Sequence, residues 1–185
     1  SIRTFAESGV TILPDTIANV LANFHNIFTE HDGGTETNID YLLSLIKVEN
    51  YTELIYTSLI KIYAKCAPVF LKYYEMMKKN GVPIKRRTLA PIFEFSDTYS
   101  FIFFNEAKVL GISLTIEDYC HILSHLTRES QDFHRSMVVE DMVNNIKGPI
   151  SPEDVEHLAL VLDSMSTPPG TITPPSPFTL SKKEK

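Results

Sequence analysis

The chain has 185 residues, of which 43% are hydrophobic and 22% are charged, and its formal net charge is −6. This apolar fraction suffices for the core of one ordinary domain, whereas the negative total argues against a globally basic nucleic-acid binder. Residues 52–147 carry 12 Lys and Arg against 11 Asp and Glu, while residues 1–51 carry 2 against 7 and residues 148–185 carry 3 against 5. A polyanion would therefore be bound by a local basic segment.

The two cysteines, Cys66 and Cys120, are far apart and lack CxxC spacing. Both fall in predicted helices, so we predict reduced thiols in or near the core rather than a disulfide. No apolar run approaches the length of about 20 residues that a membrane span needs. The chain begins Ser-Ile-Arg without a signal peptide, which indicates a fragment of a longer protein.

Helical periodicity accounts for nearly the whole sequence. No run alternates in the manner of a β-strand, so we predict an all-α chain of about nine helices. The predicted helices cover, in order, 15–30, 39–46, a segment capped by Thr52, a segment from Pro68 to Lys79, 86–95, 97–110, a segment from Thr115, a segment from Ser130 to Lys147 and a segment from Ser151 to Met165. The loop from Gly33 to Thr37 is predicted to be polar and mobile.

Glycines end several helices, and capping residues begin the next ones. Gly81, Gly111 and Gly148 each follow a helical segment, and only glycine adopts the left-handed conformation there without a Cβ penalty. Residues 115–118 (TIED) resemble a capping box, and residues 151–152 (Ser-Pro) are a typical helix start.

Tyr56, Leu89 and Tyr119 occupy equivalent places, 33 and 30 residues apart, and an apolar pair follows each. A two-helix unit of this period is typical of an α-solenoid, in which antiparallel hairpins stack because none buries its apolar face alone. The predicted segments are N-terminal helices with a candidate degenerate repeat at 1–51, the repeat array at 52–147, a capping helix at 148–166 and a Pro-rich linker at 167–185.

Two parts of this array resemble a known repeat. The run YTSLI at 56–60, followed by Glu75-Met76 and Gly81, resembles a pentatricopeptide repeat, whose consensus has Tyr-x-x-Leu-Ile and later Glu-Met with Gly. The run KRRTLAP at 85–91 is similar to the Arg-x-Arg-Thr/Ser-Tyr-x-Pro signature in the repeat domain of protein-only ribonuclease P.

Residues 138–142 and 150–153 resemble the end of that domain, so the resemblance covers about residues 52–165. Leu89 departs from it, because the family has Tyr there, and both repeats are shorter than the usual 35 residues by about two and five.

The resemblance implies a domain that binds precursor tRNA in an enzyme that removes tRNA 5′ leaders. It also implies an intracellular location, in a mitochondrion or other organelle or in the nucleus. In the family, cleavage needs clustered aspartates in a metallonuclease domain with Mg²⁺, beyond a structural Zn²⁺ module, and neither is in this sequence. We therefore expect no metal cofactor in this chain, no cleavage by this chain alone, no membrane partner, and a protein partner as a further candidate.

Repeat position and charge predict seven residues in contact with RNA: Thr57, Lys61, Lys85, Arg86, Arg87, Ala90 and Cys120. In pentatricopeptide arrays two or three side chains per repeat read one base. The equivalent pairs here are Thr57 with Lys85 and Ala90 with Thr115, and Lys and Ala are poor partners for a base edge. We therefore expect recognition of RNA shape and phosphate, with Arg86 and Arg87 exchangeable at little cost in stability.

Several candidate residues also have a purely structural explanation. Helix packing would account for Thr57, Ala90 and Cys120, and a solvated turn near the negative end of a helix would account for Lys78 and Lys79. The aromatic residues at 101, 103 and 104 could stack on bases but fit a core better, and the histidines at 121 and 125 lack further metal ligands. Two other functions stay open: a helical-repeat scaffold that binds another protein, and a stand-alone organellar RNA-binding protein.

Overall fold

A computed structural model of the chain describes residues 8–9, 11–24 and 33–166. Within these ranges it contains nine α-helices, two 3-10 turns and no strand, which confirms the all-α prediction. The helices are α1 (Pro14–Ala22), α2 (Gly33–Ser44), α3 (Glu53–Ile62), α4 (Ala67–Lys79), α5 (Arg86–Phe95), α6 (Ser100–Val109), α7 (Ile116–His125), α8 (Asp132–Asn145) and α9 (Pro152–Ser166). The predicted linker at 167–185 and the end of the first predicted helix, 25–30, lie outside the described residues.

Predicted boundaries of four helices are wrong. Helix α1 ends at Ala22, before the predicted end at 30, and Asn23 is its C-cap. The Gly33–Thr37 segment is the start of helix α2 rather than a loop. Helix α6 begins at Ser100, three residues after the predicted start, because Asp97 and Thr98 form a turn before it. Helix α8 begins at Asp132 after a 3-10 turn, and it ends at Asn145 instead of 147.

The helices contact each other in a regular order. Consecutive helices joined by short links pack together in the pairs α1–α2, α3–α4, α5–α6 and α7–α8. In addition, each odd-numbered helix contacts the next one, in the series α1–α3–α5–α7–α9, which we call the odd-helix row. The core lies between this row and the even-numbered helices, and its largest fully buried side chains include Tyr56, Phe70 and Tyr119.

Even-numbered helices meet through aromatic side chains. The ring of Phe103 on α6 lies edge-on to Tyr74 and Phe70 of α4, with centroids 4.9 and 6.0 Å apart. On the other side of α6, Phe101 stacks on His134 of α8 at 4.1 Å. Such offset and edge-to-face contacts add to the free energy gained by burying the rings.

Two turns of the same geometry place the starts of α5 and α7. Gly81 and Gly111 have φ of +67° and +66°, as the sequence predicted. At each, the amide two residues past the C-cap returns to the helix, from Val82 to the Met77 carbonyl at 3.1 Å and from Ile112 to that of Ala107 at 2.9 Å. This is the Schellman arrangement. Four residues after each glycine the next helix is capped, so α5 and α7 begin in equivalent positions.

Candidate nucleic-acid interface

Arg86, the first residue of α5, is bonded to the start of α7. Its Nε donates to Asp118 Oδ2 at 2.6 Å, and its Nη2 donates to Asp118 Oδ1 at 2.9 Å and to Thr115 Oγ1 at 3.0 Å. The Asp118 side chain is only 2% exposed, and that of Arg86 is 39% exposed. A two-pronged contact of this kind matches the planar guanidinium to both carboxylate oxygens, so Arg86 joins two neighbouring helices of the odd-helix row.

Asp118 is also the third residue of α7 and part of its capping box. Its Oδ2 accepts from the Thr115 backbone N–H at 2.9 Å, while Thr115 Oγ1 accepts from the Asp118 N–H at 3.3 Å. This reciprocal pair is the capping box that the sequence predicted. The hydrogen bonds to Asp118 raise the pKa of the Arg86 guanidinium further above its ordinary value.

Lys85 and Arg87, on either side of Arg86, turn toward the opposite neighbour, α3. Lys85 Nζ donates to Glu53 Oε2 at 2.8 Å, and Arg87 Nε donates to Glu53 Oε1 at 2.6 Å. Partial burial raises the pKa of the Glu53 carboxyl, but hydrogen bonds from Lys85 and Arg87 outweigh it, so the pKa lies below its ordinary value. Glu53 is the first residue of α3, and the N-terminal ends of α3, α5 and α7 therefore lie side by side.

The ion pairs at the N-terminal ends of α3, α5 and α7 differ in their charge balance. Arg86 and Asp118 form a one-to-one pair, whereas Lys85 and Arg87 share the single carboxylate of Glu53. The side chains of Lys85 and Arg87 are 53% and 61% exposed, against 19% for Glu53. One positive charge is thus in excess, and the two cations reach solvent. We call Lys85, Arg87 and Glu53 the basic edge.

The three residues predicted at base-reading positions differ in exposure. Thr57 and Ala90 are half-buried as residues, but the Thr57 hydroxyl oxygen is inaccessible to solvent and has no hydrogen-bond partner within the described part of the chain. Cys120 is fully buried, and burial followed by the charges of Asp154 and Glu117 raises its thiol pKa to about 11. Helix packing therefore accounts for Cys120, because its sulfur is covered by protein.

The remaining predicted cations lie on the surface. Lys61 on α3 is exposed. Lys78 pairs with Glu75 at 2.7 Å and lies 4.8 Å from the centre of the Tyr74 ring, and Lys79 is exposed in the same last turn of α4. These contacts fit the alternative explanation of a solvated helix end for both lysines.

The aromatic and histidine candidates are mostly structural. Phe103 and Phe104 are buried, as the core interpretation predicted. His125 contacts Asp97 through Nδ1 at 2.6 Å and the Glu94 carbonyl through Nε2 at 3.1 Å. His121 faces His157 of α9, with ring centroids 6.0 Å apart.

The described residues offer no metal centre: no group of three His, Cys, Asp or Glu side chains among them is close enough to hold an ion. The Mg²⁺ and Zn²⁺ that the resemblance implies for a parent enzyme therefore have no fitting ligand set in the part described. In the same ranges, no helix has both the length and the apolarity to cross a bilayer.

Sequence reasoning identified the cations of this edge but missed their acidic partners. Glu53 lies 32 and 34 residues before Lys85 and Arg87, and Asp118 lies 32 residues after Arg86. These separations are close to the spacings of 33 and 30 residues on which the predicted repeat rests, so the sequence did contain the signal: opposite charges about 32 residues apart at the starts of α3, α5 and α7. Comparison of the chain with protein-family models, curated proteins and solved structures found no match.

Proposed function

We propose that this chain is an RNA-binding domain built as an α-solenoid of stacked helical hairpins of the pentatricopeptide type. The hairpin pairs and the continuous contacts along the odd-helix row support the stacking. The ion pairs from α5 to both α3 and α7, at separations close to the period, support a repeated unit rather than an irregular bundle.

The observation that carries RNA binding is the basic edge. Lys85 and Arg87 share one carboxylate, so an RNA phosphate can bind the surplus charge without leaving the half-buried Glu53 unpaired. Arg87 presents a fork that suits two phosphate oxygens. The adjacent N-terminal ends of α3 and α5 add their positive dipole ends to the same surface.

The geometry favours recognition of backbone and shape over reading of bases. Among the positions predicted to read bases, Ala90 has no hydrogen-bonding group and Cys120 is covered. The hydroxyl oxygen of Thr57 is itself buried, and that of Thr115 accepts a hydrogen bond from Arg86. A folded RNA with closely spaced phosphates fits such a surface better than a single strand read base by base.

We infer that the natural ligand is precursor tRNA, which the resemblance to protein-only ribonuclease P implies. In that setting the chain holds the tRNA body while a nuclease domain, not contained in this sequence, removes the 5′ leader. The role of this chain is to bind and orient, and its own residues perform no bond cleavage. The parent protein would act inside the cell, in an organelle or in the nucleus.

Equilibrium binding at low and physiological salt tests this proposal. We expect precursor tRNA to bind more tightly than a single-stranded RNA of the same length and base composition, and binding to weaken steeply as salt rises. Equal binding of both RNAs would exclude shape recognition. Absence of salt-sensitive binding to either would exclude the proposal.

A second function, a scaffold that binds protein, is favoured by a separate observation. Helix α9 exposes Val155, Leu160 and Leu162, with exposed fractions of 50%, 65% and 40%. Apolar groups grouped on one helix are typical of protein contact rather than RNA contact. The two functions use different surfaces of the chain and are tested separately.

A further inference from the structure

Helix α9 holds the position of a first helix of a hairpin. It packs against α7 as α7 packs against α5, and it buries Val161 and partly buries Leu158. Its N-cap is Ser151, whose Oγ accepts from the Asp154 N–H at 3.1 Å. Ser151 thus corresponds to Thr52, Lys85 and Thr115, the N-caps of α3, α5 and α7.

Counting from these N-caps shows which face of a first helix its own hairpin covers. The fourth residue after the cap is no more than 1% exposed in α3, α5 and α7, and the eighth is fully buried in all three. These residues are Tyr56, Leu89 and Tyr119 at the fourth place, and Ile60, Phe93 and Leu123 at the eighth.

The hydrogen bonds of Tyr56 and Tyr119 identify the helix that covers the fourth place. The Tyr56 hydroxyl accepts from Asn80, the C-cap of α4, at 2.6 Å, and the Tyr119 hydroxyl donates to Asp141 of α8 at 2.8 Å. The fourth place therefore faces the second helix of the same hairpin, and the eighth, four residues on, lies on the same face of its helix.

On α9 the same two places are exposed. Val155 holds the fourth place with half of its surface accessible, and Ala159 holds the eighth and is also exposed. Leu160 holds the ninth place, which is exposed in every first helix. Its counterparts there are Lys61, Glu94 and Ser124, so the exposure of Leu160 follows the pattern. The departure from the repeat pattern is thus specific to the face that a second helix covers.

We propose that this face of α9 binds an amphipathic, basic helix of another polypeptide, which takes the place that α8 has on α7. The apolar face continues the hairpin interface of the preceding units, and this continuity defines the shape of the occupant. A terminal capping helix would present a polar outer face instead.

Charge defines the occupant further. Helix α9 contains four acidic residues and no Lys or Arg: Glu153, Asp154, Glu156 and Asp163. A second copy of α9 would bring these acids together across the contact, which is unfavourable, whereas Lys or Arg beside the apolar stripe of a partner helix would be attracted to the exposed Glu153 and Glu156.

The probe is a synthetic helical peptide of about 18 residues, with Leu at every third or fourth position and Lys at the flanking positions. Matched peptides carry Glu in place of Lys, or the same residues in scrambled order. The protein variants are Val155→Gln/Ala159→Gln and, as control, Leu160→Gln. All three sites are exposed and Gln is a good helix former, so the variants fold, which circular dichroism checks.

The Lys peptide should bind the parent chain and the Leu160→Gln variant equally within about twofold, and bind Val155→Gln/Ala159→Gln about tenfold or more weakly. The Glu and scrambled peptides should bind more weakly than the Lys peptide. No binding, equal binding of all peptides, or equal loss in both variants would overturn the proposal.

Two further outcomes would also overturn it by naming a different occupant. Concentration-dependent dimerisation of the parent chain that Val155→Gln/Ala159→Gln abolishes would identify a second copy. A gain of about tenfold or more in peptide affinity on removal of residues 167–185 would identify that segment of the chain itself.

Discussion

The guanidinium of Arg86 bonds both carboxylate oxygens of Asp118, at 2.6 and 2.9 Å, and so connects the first turn of α5 to the first turn of α7. Asp118 is nearly inaccessible to solvent and also caps its own helix. Loss of the arginine would therefore leave a desolvated carboxylate with only local donors.

We expect Arg86→Gln to lower the free energy of unfolding by about 1–2 kcal/mol. This is less than for a fully buried pair, because the Arg86 side chain is 39% exposed and solvent screens part of the interaction. Urea denaturation measures the change.

Arg87→Gln is the matched control for this prediction. Arg87 is 61% exposed and shares its acid with Lys85, so its loss should change stability by less than about 0.5 kcal/mol. Equal effects of the two substitutions would contradict a special role of Arg86 in joining the helices.

The turns at Gly81 and Gly111 give a second prediction. Replacing either glycine by Ala should cost about 1–2 kcal/mol, because φ is near +67° at both, while an added Cβ would meet no atom within 4 Å. The cost is therefore conformational and not steric. Gly81→Asn should cost less than Gly81→Ala, since Asn tolerates the left-handed region better. The reverse order in thermal unfolding would refute this explanation.

The features of the fold that the sequence predicted are those that depend on interactions between residues close in sequence. Helix starts such as Thr115 with Asp118, and the glycine stops, depend on residues three to five apart, and the sequence predicted them correctly. The late start of α6 was missed because its N-cap, Tyr99, makes no side-chain cap, and the early start of α2 was missed because two glycines, which disfavour helix, open it.

The candidate site shows the same limit. The sequence identified Lys85, Arg86 and Arg87 as cations but treated them as equivalent, with little expected effect on stability. Their roles depend on Glu53 and Asp118, which lie 32 to 34 residues away in the sequence, and Arg86 makes a helix contact with a nearly buried acid. Only the packing of α3, α5 and α7 distinguishes it from Arg87.

Glu53 gives a prediction on pH. Its pKa is lower in the folded chain than its ordinary value, so the carboxylate stabilises the fold above about pH 4.3, the unfolded pKa, and this stabilisation is lost as the pH falls through the folded-state pKa. Glu53→Gln should therefore be less stable than the parent at pH 7, and the difference should shrink below about pH 4.

The control is Glu75→Gln, since Glu75 is 66% exposed in a surface pair with Lys78. It should change stability by less than about 0.5 kcal/mol at either pH. A Glu53→Gln deficit that persists unchanged in acid would show that the carboxylate charge does not stabilise the fold.

The two cysteines should react at very different rates with a thiol reagent. Cys120 is fully buried with a pKa of about 11, so at pH 8 only about one molecule in a thousand carries its thiolate. Cys66 is half-buried at the start of α4. We expect one fast thiol in the native chain, absent in Cys66→Ser, and two after unfolding. Two fast thiols in the native chain would contradict the packing of α7.

The central claim, that the basic edge binds RNA phosphate, is tested most directly by the salt dependence of precursor-tRNA binding to Lys85→Gln/Arg87→Gln. Each lost phosphate contact should lower the slope of log affinity against log salt by about 0.7 to 0.9, so we expect a decrease of about one to two units and weaker binding at every salt concentration. Glu53→Gln, which releases both cations, should strengthen binding. Unchanged slope and affinity in both variants would contradict the claim and leave protein binding as the favoured function.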